Sequence, residues 1–137
     1  MTNTLTLTAQ DKTLLRTAAY GAVSLLAAAD PAGSPHKAAT AGSIALASST
    51  GPIGHVLADK AGSITIQGKT VAAMADHVLP ALTQVMQLLK AEHPVDADAF
   101  RSIVLRALDT AALAGAGRPG PAAADITNKI AQALDSE

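Results

Sequence analysis

The sequence predicts an all-α fold: a single-domain bundle of five to six helices over residues 1–137, with an extended N-terminal arm at residues 1–8. Three observations carry that expectation. Roughly a quarter of the chain is alanine, the best helix former, whose small side chain lets helices approach closely. Between Lys69 and Lys90, apolar residues recur with the alternating four-and-three spacing of a helix stripe, at Val71, Ala75, Val78, Leu82, Val85 and Leu89. Proline and glycine gather at separate points that cut the chain into helix-length segments.

Taken in order, residues 2–7 alternate Thr or Asn with Leu, a β-like pattern too short to persist without a partner strand. Thr8-Ala-Gln-Asp11 reads as a capping box with Asp in place of the commoner Glu. The first helix then runs to about Ala29. Leu14, Leu15, Ala18, Ala19, Ala22, Leu25, Leu26 and Ala29 cover one broad face, and Arg16, Tyr20 and Ser24 fall on the other. Tyr20 is therefore expected to lie on Arg16 at the edge of the bundle.

Asp30-Pro-Ala-Gly-Ser-Pro35 is a loop by composition. The second helix, about 36–49, has only Ile44 and Leu46 as large anchors. Gly51-Pro52 breaks it, and Pro52 suits the first position of a short third helix reaching about Lys60, with Ile53, Val56 and Leu57 inward. Residues 61–68 are a connection whose Ile64-Thr65-Ile66 could pair with Leu5-Thr6-Leu7 as a two-stranded ribbon.

The central, Pro-kinked helix of the expected bundle spans about 70–91, with Thr70 as its cap. Its apolar face exceeds half the circumference, so it needs at least two partners. Pro80 falls on its polar face, removes the bond to the Asp76 carbonyl, and should bend the helix around the core. His93-Pro94 ends it, and Asp96 is expected to cap a fifth helix whose core face is Phe100, Ile103, Val104, Ala107, Leu108 and Ala111. Gly115 to Pro121 is a loop, and a last helix to about Leu134 turns Ile126, Ile130 and Leu134 inward.

Charge and composition narrow the function classes. The formal net charge is −1 with both signs spread along the chain, which leaves no basic stripe for nucleic acid or an anionic membrane. The absence of cysteine removes disulfides, thiolate ligands and thiol nucleophiles. Tyr20 and Phe100 are the whole aromatic complement, so a stacked-base or π-lined pocket is disfavoured. The N-terminus has no positive region and no long apolar run, and the expectation is a cytoplasmic protein. The Ala-, Gly- and Pro-rich usage hints at a bacterial source.

Several motifs invite a sharper reading, and each has an ordinary one beside it. Gly68-Lys69-Thr70 resembles the end of a phosphate-binding loop, but the required glycine five positions earlier is Ser63, and Thr70 serves equally as a helix cap. His55 and Asp59 stand four apart, a spacing able to hold a metal, and Asp76 and His77 are neighbours. Both pairs lie opposite the apolar stripe of their helix, where solvated side chains are the rule. A metal- or haem-binding bundle is the alternative they would support. Leu46 to Gly51 followed by a short helix faintly resembles a helix-turn-helix, but that helix offers only His55 and Lys60 to DNA. Met74 and Met86 could wall a small apolar ligand between helices, or simply fill the core.

No serine elbow, glutamate-histidine pairing or carboxylate cluster nominates a catalytic residue, and no motif calls for a cofactor. The reading is an interaction or association module rather than an enzyme. Its partner is a second copy or another protein, because the first and fourth helices carry more apolar surface than a small domain easily buries.

Overall fold

The computed structural model describes residues 7–29, 35–58, 70–116 and 121–135, and these form six helices with no strand among them. They are α1 (Ala9–Ala29), α2 (Pro35–Ala47), α3 (Gly51–Ala58), α4 (Val71–Glu92), α5 (Pro94–Ala116) and α6 (Pro121–Asp135). The all-α bundle is as expected. The arm at residues 1–6, and the ribbon that would pair it with 64–66, lie outside the described residues.

Local chemistry sets most helix starts. At α1 the capping box is reciprocal: the Asp11 N–H donates to Thr8 Oγ1 at 3.0 Å, and the Thr8 N–H donates to the Asp11 carboxylate at 3.1 Å. Thr70 caps α4, its hydroxyl accepting from the Ala73 N–H at 3.1 Å. Prolines open α2, α5 and α6, where the missing N–H would have no helical partner.

The α4–α5 junction is a single residue. His93 precedes a proline, which disfavours the helical backbone and ends α4 at Glu92. The His93 carbonyl then accepts the N–H groups of Asp96 and Ala97, so α5 starts at Pro94. Asp96 therefore sits inside the first turn, where its charge suits the helix dipole, rather than at the expected cap position.

Packing follows the apolar stripes. α4 buries Val78, Ala81, Leu82, Val85, Met86 and Leu89 against α1, α5 and α6, and keeps Asp76, His77, Pro80, Gln84, Gln87 and Lys90 exposed. The helix continues through Pro80. Two other helices have more partners still: α1 and α5 each touch all five of the others.

One residue of α1 departs from its expected face. Arg16, assigned to its outer face, is 5% exposed. Its Nη2 lies 3.4 Å from Thr13 Oγ1, one turn earlier on the same helix. Tyr20 is half-buried near Arg16, and its hydroxyl donates to the Leu57 carbonyl at 2.7 Å, joining α1 to the last turn of α3.

The most intimate helix pair is α2 with α5. Gly42 makes it so: a Cβ there would lie 2.6 Å from Val23 Cγ1 and 3.1 Å from Ala111 Cβ, so glycine lets α2 sink between α1 and α5. Phe100, Leu15, Leu25, Leu26, Leu46, Ile53, Leu57, Leu82, Met86, Leu89, Leu108 and Ile130 fill the centre.

Candidate functional site

The residues nominated by the sequence are scattered over the bundle. His55 is exposed in the last turn of α3, and its partner in the four-residue pair, Asp59, lies outside the described residues. Asp76 and His77 are exposed on the outer face of α4 and make no hydrogen bond or ion pair with a described residue. Met74 is half-buried at the edge of the core, and Met86 is 1% exposed within it. Among the described residues no three His, Asp or Glu side chains come together as a metal ion requires. No described helix is long and apolar enough to cross a membrane.

Thr70 is explained as a helix cap. Gly68 and Lys69 lie outside the described residues. After the α2–α3 turn, Ile53, Gly54, Val56 and Leu57 of α3 are buried, which leaves His55 as the polar side chain displayed by the described part of that helix. Gly51 takes φ +83° in this turn, and a Cβ on Gly54 would overlap the Ser49 carbonyl. The turn is built for close packing.

A concave site does occur where the sequence marks nothing, between α5 and α6. The two helices run antiparallel and are held together at one end. Arg101 Nε and Nη2 donate to the Asp135 carboxylate at 2.7 and 3.3 Å. Thr83 of α4 donates to the Ala133 carbonyl at 3.1 Å, holding the same end of α6. The Arg101 bonds hold the Asp135 carboxyl below its usual pKa, and the Asp135 bonds raise the Arg101 guanidinium.

Toward the other end the facing residues are small, Ala112 on α5 and Ala124 on α6, and the helices leave a half-open groove of about 210 Å³. Leu105, Leu108, Ala112 and Ala124 make its apolar lining, and Asp109, Thr127 and Asn128 supply the polar part. Pockets for whole small-molecule ligands run to roughly 300–1,000 Å³. The groove is below that range and suits an inserted side chain better than a cofactor. Neither Met74 nor Met86 lines it.

Two further features escaped the sequence reading. His93 Nδ1 lies 3.9 Å from an Asp96 oxygen across the α4–α5 junction, a contact implied by the three-residue spacing once His93 is known to be the whole connection. Large apolar side chains also remain outside the core: Val95 is 81% exposed, Ile44 61% and Leu113 48%. Of the two expected anchors of α2, Leu46 is buried, together with Ala38 and Gly42, and Ile44 is not.

No protein-family model matches this chain, and neither a curated protein nor a solved structure does.

Proposed function

We propose that the protein is a helical association module that joins a second copy of itself, through apolar side chains left outside its own core. The observation that carries this reading is the α5–α6 groove, a side-chain-sized cavity with an apolar lining. Ile44 and Leu113 supply apolar side chains of the kind such a groove accepts. Closed symmetric dimers are the commonest outcome of self-association.

Sedimentation equilibrium over the micromolar range tests it. The expected result is a reversible rise in mean mass with concentration. Ala124→Leu, which fills the groove from its exposed side, should raise the dissociation constant by about tenfold, or about 1.4 kcal/mol. Ile44→Lys should weaken association while leaving the circular dichroism of the monomer unchanged. A chain that stays monomeric at high micromolar concentration refutes self-association.

A competing reading, a small apolar ligand held between α5 and α6, is disfavoured by the groove's size. Native mass spectrometry separates the two: whole multiples of the chain mass support association, and extra mass that vanishes on denaturation supports a ligand.

A further inference from the structure

We draw no further inference here: the strongest candidate, the exposed Ile44 on α2 as the side chain that a second copy inserts into the α5–α6 groove, carries nothing beyond the association already proposed, because nothing in the structure shows what covers Ile44.

Discussion

Two glycines separate the two reasons a side chain can be forbidden. At Gly42 the backbone is ordinary helix, and alanine would gain roughly 0.5–1 kcal/mol of helix propensity. The added Cβ would meet the β-branched, stiff Val23 at 2.6 Å, and overpacking of this kind costs roughly 1–3 kcal/mol. The clash wins, so Gly42→Ala should lower stability in urea unfolding, and the loss should be smaller when Gly42→Ala is introduced into a chain that already carries Val23→Ala. At Gly51 there is open space but φ is +83°, so Gly51→Ala should cost about 1 kcal/mol through the backbone alone, with no partner mutation able to rescue it. The capping box at Thr8 was legible because its spacing is local. Gly42 was not, because its neighbours lie on two other helices.

Tyr20 belongs to the same scale and gives a pH test. Burial raises its pKa above 10.0, against an opposing pull from Arg16, and its hydroxyl donates to the Leu57 carbonyl. The folded state favours the neutral phenol. Its contribution is therefore complete below about pH 10, the unfolded value, and is lost as the pH rises through the higher folded value. With a single tyrosine and no tryptophan, phenolate absorbance reports this group alone. The titration midpoint should sit above that of the unfolded chain, and Tyr20→Phe should cost about 1 kcal/mol at neutral pH. An unshifted midpoint would count against the buried bond.

At the scale of elements, the links between helices differ in strength for reasons visible in their solvent exposure. Thr83 is half-buried on α4, and its hydroxyl reaches both the Leu79 carbonyl of its own helix and the Ala133 carbonyl of α6. Thr83→Val keeps the shape and removes the cross-helix donor, with an expected loss of about 0.5–1.5 kcal/mol. The Arg101–Asp135 pair is the better-formed contact by geometry but stands in water, where salt screens it. Asp135→Asn should therefore have a small effect that shrinks further in high salt. Because the folded Asp135 pKa is depressed, its contribution is present above the unfolded carboxyl pKa and disappears as the pH falls through the depressed value. Comparing the two variants by thermal unfolding at low and high salt checks both expectations.

For the molecule as a whole, the distribution of partners decides where damage is greatest. α1 touches every other helix, and its Leu25 is fully buried. Leu25→Ala should cost roughly 2–5 kcal/mol, a large share of the 5–15 kcal/mol that holds a typical domain together. Met86→Leu, at an equally buried position on α4, conserves volume and should cost less than about 1.5 kcal/mol.

The sequence by itself determined the helices, the reciprocal cap at Thr8 and Asp11, the cap at Thr70 and the inward stripe of α4, because hydrogen bonds three residues apart and a 3.6-residue period are written within one segment. Only the tertiary structure decided that Arg16 is enclosed, that Ile44 stays outside, and that Ala112 and Ala124 leave a groove between α5 and α6. Each of these depends on how closely two helices approach. That distance is set by pairs of side chains far apart in the chain, which no single stretch of sequence contains.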